Sequence, residues 1–324
     1  MRLVDLSLST NPYGPPPYLA VALRRGGREV YAYPDRTQRV LTERLEEHLR
    51  LDAGTVLPAG SASELLRVAI GAYGMGRPVL LARHTYGEFR RIAVSVGAQV
   101  AEGPMRNVQV EPAEWARRVR PRSLVVLANP GTPSGQYLTP RQLAPLLEAV
   151  ERTRSLALVD ESYLPFVRRG ESLAGRGEHL LTVFSWSKML GTPGLPLGHA
   201  AGSRDVIRAL RAHLLPWSVG PLARQLGLLA LDHPAWTRST LARVARTSAR
   251  VRRRLRSRSR TNYFMVRSRS GSWLARRLAD RGFRVRDLTS MGLPEYVRFA
   301  VRKEAETQSF LSILSDVWAD LSRR

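Results

Sequence analysis

The residue with the most distinctive chemistry in this chain is a lysine, Lys188. Only two of the 51 basic residues are lysines, at positions 188 and 303, and the others are arginines. An arginine stays protonated and cannot attack a carbonyl, whereas a lysine amine can lose its proton and form a Schiff base. Lys303 shows that a lysine can also persist by chance. Lys188 is therefore a candidate for covalent chemistry that its neighbours must support.

Polar residues that complement an amine follow neighbouring apolar segments. Asn129 ends the segment SLVVLAN, Asp160 ends SLALVD, and Lys188 comes shortly after LLTVFS. If these segments are parallel strands, their carboxyl ends meet at one edge of a sheet, where such folds bind ligands. An amide, an acid, hydroxyl groups and an amine would then share one site. Taken alone, Asp160 fits a carboxylate that caps a turn equally well.

The segments around these residues predict an α/β fold. Four runs are apolar throughout, which is typical of strands buried on both faces. They occupy residues 77–82, 123–129, 155–160 and 180–185. Amphipathic stretches separate them, such as residues 140–153, which have Thr139 as a cap and Pro140 at the helix start. This alternation predicts a mostly parallel sheet covered by helices on both faces.

The pattern changes after about residue 225. A long helical region is followed by NYFMVRS, by a helix from about Ser272 and by a strand-like YVRFAVR at 296–302. This order predicts a smaller α+β domain. The predicted large domain spans residues 30–225, and the predicted small domain combines residues 1–29 with residues 226–324.

The chain is strongly basic, with a formal net charge of +24. Its densest basic run, residues 243–260, has inward-facing residues such as Val244 and Val251 at helical spacing, which predicts a helix with arginines on its outer face. A nucleic-acid partner is the alternative, but no zinc-finger spacing or RNA-binding aromatic signature accompanies the run. The pattern therefore favours a helix surface.

Composition limits the compartment and the chemistry. The chain has no cysteine, which excludes disulfides and thiolate chemistry, and no metal-ligand set is predicted. No apolar run is long enough to cross a bilayer, and the N-terminus lacks the apolar core of a signal peptide. We therefore expect a cytoplasmic protein with no membrane partner.

Ser61 and Glu64 have the spacing of a capping box that opens a helix. The free N–H groups in the first turn of such a helix can bind a phosphate. A plain helix cap explains the spacing equally well when it is taken alone.

Several collinear motifs resemble the class I and II aminotransferases, which are fold-type I enzymes that use pyridoxal 5′-phosphate. The lysine motif is SWSK followed by GTPGLPLG. The others, in chain order, are STNPYGPP (9–16), YPD (33–35), AGSASEL (59–65), HTYGEF (84–89), NPGTPSG (129–135), DESYLPF (160–166) and VRFAVR (297–302). The resemblance implies the aspartate aminotransferase fold, in which a large domain with a mostly parallel sheet of the seven-stranded type is joined to a smaller α+β domain.

The resemblance implies catalytic roles for three residues. Lys188 would bind pyridoxal phosphate and move protons at the substrate's α-carbon, Asp160 would keep the pyridine nitrogen protonated, and Tyr163 would donate a hydrogen bond to the ring oxygen. Tyr86 would stack on the ring. Further contacts to the cofactor are implied for Ser61, Ala62, Asn129, Thr132, Ser185, Ser187 and Tyr33. Because the family lends this last tyrosine across a dimer interface, the implied active unit is a homodimer.

Two positions depart from the family pattern. Pro196 stands where the family has an arginine that grips the cofactor phosphate. Thr132 stands where the family has an asparagine that touches the ring oxygen, and the nearest asparagine is Asn129. The loss of the arginine should weaken cofactor binding unless another arginine replaces it.

On the substrate side, the resemblance implies roles for Asn11, Arg286 and Arg298. Arg298 matches the arginine that pairs with a substrate α-carboxylate through two parallel hydrogen bonds. Arg286 matches a second arginine on the side of a substrate phosphate. A surface cation is the alternative at both positions, because the chain has so many arginines.

Within the group, the motifs are closest to threonine-phosphate decarboxylase and to histidinol-phosphate aminotransferase. The stretch LLPWSVG (214–220) and the FAVR ending favour the first, so the primary interpretation is decarboxylation of L-threonine O-3-phosphate to aminopropanol phosphate for cobalamin biosynthesis. The alternative is a histidinol-phosphate or broader class I/II aminotransferase. A third hypothesis is a non-catalytic descendant that binds anions; Pro196 and Thr132 favour it, whereas Lys188 and Asp160 oppose it.

Overall fold

The computed structural model describes residues 3–322 and the side chains of residues 3–318. The strands are β1 (Val4–Asp5), β2 (Val56–Ala59), β3 (Pro78–Ala82), β4 (Gln99–Gly103), β5 (Met105–Arg106), β6 (Gln109–Val110), β7 (Leu124–Ala128), β8 (Leu156–Asp160), β9 (Leu180–Ser185), β10 (Gly198–Gly202), β11 (Tyr263–Arg267), β12 (Phe283–Arg284), β13 (Arg286–Asp287) and β14 (Tyr296–Ala300). The α-helices are α1 (Leu19–Gly27), α2 (Arg39–Leu49), α3 (Ala62–Gly74), α4 (Gly87–Ser95), α5 (Pro112–Ala116), α6 (Pro140–Arg152), α7 (Trp186–Leu190), α8 (Arg204–His213), α9 (Pro221–Asp232), α10 (Pro234–Arg254), α11 (Gly271–Ala279) and α12 (Glu304–Ser322).

The central sheet has seven strands in the order β2-β10-β9-β8-β7-β3-β4. The neighbours from β9 to β4 pair in parallel, and β10 pairs antiparallel with both β9 and β2. The fold is thus α/β with a mostly parallel sheet, as the sequence predicted.

The four strands predicted from apolar runs are β3, β7, β8 and β9, and they form the middle of this sheet. All five residues of β7 are buried, as are the first four of β8. They are apolar throughout because helices cover both faces of the sheet. The edge strand β4, with the sequence QVAEG, mixes polar and apolar residues without alternation, and β10, with the sequence GHAAG, has no β-branched residue. Neither sequence predicts a strand, so pairing with neighbours defines both.

Two helices form as their local sequences predict. At α6, the side chain of Thr139 accepts a hydrogen bond from the backbone N–H of Gln142, the Gln142 side chain accepts one from Thr139, and Pro140 occupies the first turn. Along α10, Val244 and Val251 are buried against the C-terminal part of the chain. The arginine-rich run therefore forms a helix with a packed apolar side as far as Arg254, whereas residues 257–260 of the run lie beyond the helix.

A second, three-stranded sheet lies in the C-terminal part, in the order β11-β14-β13, and both neighbouring pairs are antiparallel. The N-terminal strand β1 pairs in parallel with β12, which brings the start of the chain to this region. The strands of the large sheet all lie between residues 56 and 202. The domain boundaries drawn from the sequence stay predictions.

No helix in the described range 3–322 is long and apolar enough to span a membrane. Among the residues that the structure describes, there is also no cluster of three or more His, Cys, Asp or Glu residues that could hold a metal ion.

Candidate active site

The carboxyl ends of β7, β8 and β9 meet at one edge of the central sheet. Ala128 lies opposite Asp160, and Asp160 lies opposite Val183. The backbone N–H of Asn129 donates to the carbonyl of Asp160 at 2.9 Å. The three strand ends that the sequence singled out are therefore adjacent, and a parallel sheet places them there because its strands all run in the same direction.

Lys188 lies on the short helix α7, which begins directly after β9. Gly191 ends this helix with a φ of +69°, and a Cβ there would come within 2.7 Å of the Asn11 carbonyl oxygen. Glycine is therefore required both by the left-handed turn and by the close approach of the N-terminal segment. The backbone N–H of Asn11 donates to the Lys188 carbonyl at 2.8 Å, which fixes the helix on its other side.

A hydrogen bond between two buried aromatic side chains holds the start of the same helix against β10. The indole Nε1 of Trp186 donates to Nδ1 of His199 on β10 at 2.9 Å. Burial lowers the pKa of His199 to about 3. The imidazole is therefore neutral at physiological pH, with its own proton on Nε2, and its Nδ1 remains an acceptor that holds the start of α7 in place.

Asp160 is the acid of the site. Burial raises the pKa of Asp160, whereas the side-chain and backbone hydrogen bonds from Ser162 and the positive charge of Lys188 lower it. The backbone N–H of Ser162 donates to Oδ1 of Asp160 at 2.9 Å. A desolvated carboxyl beside an amine gains a strong ionic partner if a ligand brings a cationic N–H group to it.

Two tyrosines lie close to this acid. Burial raises the pKa of Tyr86, a hydrogen bond with Ser63 lowers it, and the negative charge of Asp160 adds to the rise. Tyr163 packs edge-on against Tyr263, with ring centroids 4.9 Å apart. Lys188, Tyr86 and the pair Asp160 and Tyr163 are thus brought together from three separate segments.

The start of helix α3 borders the site. The Ser61 hydroxyl accepts a hydrogen bond from the backbone N–H of Glu64 at 3.1 Å, and the Glu64 carboxylate accepts from the backbone N–H of Gly60 rather than that of Ser61. This is a variant of the predicted capping box. A Cβ at Gly198 would lie 2.5 Å from the backbone nitrogen of Ala62, so the glycine lets β10 pass close to the helix start.

Hydroxyl groups add to this end of the site. Ser185 and Ser187 flank the first residue of α7, and both are nearly buried. The first-turn N–H groups of α3 have no acceptor within their own helix and carry the positive end of its dipole. Pro196 is exposed and brings no charge. An anion here would be bound by N–H groups and hydroxyls.

The polar side chains of the loop after β7 form hydrogen bonds with other residues of the protein. The Asn129 side chain is 1% exposed, donates to the Leu138 carbonyl at 2.8 Å and accepts from the Leu138 N–H at 2.9 Å. The hydroxyl of Thr132 accepts a hydrogen bond from Arg298 at 2.8 Å. The amide of Asn129 thus braces its own loop, and its predicted contact with a cofactor stays a prediction.

Arg298 comes to this loop from the small sheet. Its guanidinium lies over the ring of Tyr263, with 5.2 Å between the guanidinium carbon and the ring centroid. Arg286 lies directly opposite Arg298 in the β13–β14 pair, so both side chains belong to the same face of the sheet. Arg286 is exposed, and its guanidinium donates to Ser290 at 3.4 Å. Two opposed cations repel each other unless an anion lies between them.

Two residues that were predicted to contact substrate or cofactor make contacts within the protein in this structure. The Asn11 side chain is buried, and its amide donates to the Met189 carbonyl and to the Thr240 hydroxyl. It links α7 to α10. Tyr33 is 81% exposed and packs against the ring of Trp217, with ring centroids 4.5 Å apart. The predicted contacts of Asn11 with substrate and of Tyr33 with a partner's cofactor stay predictions.

Two residues of the site were missed by the sequence analysis. Tyr263 lies beneath Arg298 and donates its O–H to the Gly131 carbonyl at 2.9 Å. His84 hydrogen-bonds the Met291 carbonyl at 2.7 Å, which joins the loop after β3 to the turn that follows β13. Both are single residues in ordinary contexts, and only the tertiary structure shows that they link the two sheets.

The chemistry of these donors fits pyridoxal phosphate. Lys188 offers an amine for its aldehyde, the desolvated carboxyl of Asp160 suits a protonated ring nitrogen, and Tyr163 offers a phenol. The start of α3, with Ser61 and Ser187, offers uncharged donors for the phosphate. Burial disfavours the ionised form of the Asp160 carboxyl. A ligand with a protonated ring nitrogen would stabilise that form, which explains why a buried acid lies near the amine of Lys188.

The fold and the site define a pyridoxal-phosphate enzyme of the aminotransferase type. The family model of the class I and II aminotransferases matches residues 2–314, and the chain belongs to this family. Because enzymes of this family depend on pyridoxal 5′-phosphate, it is the cofactor of this chain.

Known proteins resemble the chain over nearly its whole length. The histidinol-phosphate aminotransferase of Rhodospirillum centenum is 28% identical over 332 residues, which cover 97% of this chain and 91% of that protein. The structure of histidinol-phosphate aminotransferase from Sinorhizobium meliloti, in complex with pyridoxal-5′-phosphate, superposes with a TM-score of 0.87 at 20% identity and covers 99% of this chain and 92% of that chain. L-threonine-O-3-phosphate decarboxylase from Porphyromonas gingivalis superposes with a TM-score of 0.83 at 20% identity, with coverage of 98% and 100%. The comparisons favour the alternative interpretation, an aminotransferase, over the decarboxylase that the sequence analysis put first.

Proposed function

We propose that this chain is an aminotransferase whose amino donor is a phosphorylated amine of the histidinol-phosphate type. The observation that carries the proposal is the pair of opposed arginines, Arg286 and Arg298, on one face of the small sheet beside the lysine site. Such a pair suits a donor with a phosphate, and it also suits the α-carboxylate of glutamate in the second half of the reaction. The similarity to the histidinol-phosphate aminotransferase of Rhodospirillum centenum supports this choice of substrate.

The residues of the chain divide the work of proton transfer and binding. Pyridoxal phosphate, when bound, supplies a conjugated ring that accepts the electron pair released at the substrate's α-carbon. Lys188 would remove the proton from that carbon and would be the group that carries it during the transfer. Asp160 holds the proton of the ring nitrogen, and the hydrogen bonds from Ser162 keep this carboxylate oriented.

A second candidate is the threonine-phosphate decarboxylase, the primary interpretation from the sequence. The Porphyromonas gingivalis structure and the LLPWSVG segment favour it. Both reactions need the same lysine, acid and arginines, and they differ in which bond at the α-carbon is broken.

The proposed active unit is a homodimer. An exposed apolar surface surrounds the YPD motif; Tyr31 is 89% exposed, Leu215 is 72% exposed and Trp217 is 45% exposed. Isolated monomers seldom expose apolar side chains of this size together. Light scattering on the purified protein tests this proposal, since a monomer at micromolar concentration would contradict it.

Activity assays test the reaction. The purified protein is saturated with pyridoxal phosphate and incubated with histidinol phosphate and 2-oxoglutarate, and we expect glutamate to form. Lys188→Arg should abolish turnover, because arginine keeps the charge but cannot form the imine. Lys303→Arg changes the only other lysine, lies on the surface and should leave turnover unchanged.

Three outcomes separate the hypotheses. Glutamate formation from histidinol phosphate supports the proposal. Carbon dioxide from threonine phosphate without any keto acid, and no glutamate in the first assay, would establish the decarboxylase instead. A protein that binds no chromophore that borohydride can reduce onto Lys188 would favour the non-catalytic hypothesis.

A further inference from the structure

Thr132 occupies the position at which the family asparagine touches the cofactor, yet its hydroxyl has a different partner. Nη1 of Arg298 donates to Oγ1 of Thr132 at 2.8 Å. Both side chains are largely shielded from solvent, and Thr132 is 8% exposed. A hydrogen bond from a charged donor in such a place is stronger than one between neutral groups in water.

The loop that carries Thr132 is fixed on both sides, so its hydroxyl is a fixed acceptor. Asn129 and Leu138 exchange two hydrogen bonds across the loop. The phenol of Tyr263 donates to the Gly131 carbonyl at 2.9 Å, and burial raises the pKa of this phenol, which therefore stays a donor. The loop cannot move toward or away from Arg298 without breaking these bonds.

Two contacts hold the guanidinium of Arg298. Tyr263 lies beneath its plane at 5.2 Å, and Thr132 binds Nη1. The Nε atom of Arg298 is buried and has no hydrogen-bond partner among the described side chains and backbone. A guanidinium donates along its edges, so with Nη1 tethered the edge formed by Nε and Nη2 is the one left to pair with a planar or tetrahedral anion.

The geometry points to Thr132 as a positioning residue for Arg298: its hydroxyl turns the guanidinium so that the edge formed by Nε and Nη2 binds the carboxylate or phosphate of the substrate. This inference rests on the proposed function and adds to it the residue that orients the anion-binding arginine. It differs from the role that the family resemblance implies, in which position 132 serves the cofactor.

The test compares three variants of the holoenzyme. Thr132→Val keeps the side-chain shape and removes the acceptor, and Thr132→Ser keeps the acceptor. Thr247→Val is the control, because Thr247 is equally buried on α10 and its hydroxyl only bonds the carbonyl of Arg243 in its own helix. Each variant is titrated with glutamate, without any keto acid, while the absorbance of the bound cofactor is followed. Affinity for pyridoxal phosphate, kcat and KM are measured alongside.

We expect Thr132→Val to weaken the apparent affinity for glutamate about tenfold, which is the usual effect of losing one hydrogen bond to a charged group. KM should rise while kcat stays within about twofold, because the tether acts on ground state and transition state alike. Cofactor affinity and absorbance should match the wild type. Thr132→Ser should restore glutamate binding, and Thr247→Val should not affect it.

Two results would overturn the inference. If Thr132→Val binds glutamate normally but changes the cofactor's absorbance or its pH dependence, the hydroxyl serves the cofactor. If Thr132→Val, Thr132→Ser and Thr247→Val all lose affinity alike, the effect is general packing. If the wild-type holoenzyme does not react with glutamate, that result contradicts the aminotransferase proposal but not the role of Thr132. Threonine phosphate then becomes the carboxylate probe, and the same comparison of variants decides on the tether.

Discussion

Glu161, next to the acid of the site, is a buried carboxyl that makes the stability of this protein depend on pH. It is 4% exposed, and its oxygens accept hydrogen bonds from the Ser172 hydroxyl at 2.5 Å and from the Leu173 N–H at 2.7 Å. Burial raises the pKa of Glu161 from 4.5 to about 7, and these hydrogen bonds only partly oppose the rise. Glu161→Gln replaces it with a neutral side chain of the same shape.

The magnitude follows from linkage between protonation and folding. The folded state holds the proton up to about pH 7, whereas the unfolded chain releases it near pH 4.5. The stability due to this proton is fully present below pH 4.5, declines as the pH rises and is lost above about pH 7. At about 1.4 kcal/mol per pH unit, the loss is about 3 kcal/mol.

The assay is urea unfolding of the wild type and Glu161→Gln at several values between pH 4.5 and pH 8. The free energy of unfolding of the wild type, relative to that of the variant, should fall by about 3 kcal/mol across this range. Glu43→Gln is the control; Glu43 is exposed and pairs with Arg39, so its contribution should stay below about 1 kcal/mol.

The reasoning fails if Glu161→Gln and the wild type show parallel pH profiles. It also fails if the wild type gains stability relative to the variant as the pH rises, because that sign would mean that the fold favours the ionised carboxylate. If Glu43→Gln changes the pH dependence of the free energy of unfolding as much as Glu161→Gln does, the effect is a general effect of charge and not of the buried carboxyl.

Further predictions concern the elements around α7. Gly198→Ala places a Cβ 2.5 Å from the Ala62 nitrogen, so we expect cofactor affinity to fall at least about tenfold by equilibrium titration, whereas Gly71→Ala, with open space around it in α3, should bind normally. His199→Asn should make the fold less sensitive to acid, as followed by tryptophan fluorescence during an acid titration. In the wild type the pKa of His199 is about 3 in the folded state and 6.5 in the unfolded chain, so the stability that is present above pH 6.5 is lost as the pH falls, by about 5 kcal/mol at most. Tyr263→Phe leaves a loop carbonyl without its donor and should cost about 1 kcal/mol in urea unfolding.

The sequence predicted the central strands and the core of the site because both depend on local patterns. A run such as LALV, at the centre of SLALVD, is apolar at every position because both faces of the strand are covered. A polar residue that ends such a run must lie at the carboxyl edge of the sheet, so the order of residues along the chain is enough to place Asp160 and Lys188 together. The edge strand β4 and the antiparallel strand β10 lack this pattern, and their pairing is a property of the whole sheet.

The arginine positions show the limit of the sequence most clearly. In a chain with so many arginines, composition cannot distinguish Arg298 from a surface cation. Its partial burial and its contact with Thr132 depend on the packing of the two sheets, and its place opposite Arg286 depends on the pairing of β13 with β14. Likewise, the sequence did not show that the Asn129 side chain bonds Leu138 or that the Thr132 hydroxyl accepts a hydrogen bond from Arg298, and the predicted cofactor contacts of both residues stay predictions.

The sequence by itself determined the fold class and the family, and it singled out the candidate cofactor-binding lysine with its acid, since these depend on residue types at fixed spacings along short segments. Tertiary structure alone decided which arginine faces the site, what holds it there and which carboxyl is desolvated enough to keep its proton near neutral pH. The physical reason is that hydrogen-bond partners and solvent exposure are set by segments far apart in the chain, such as Thr132 and Arg298, which meet only when the two sheets pack together.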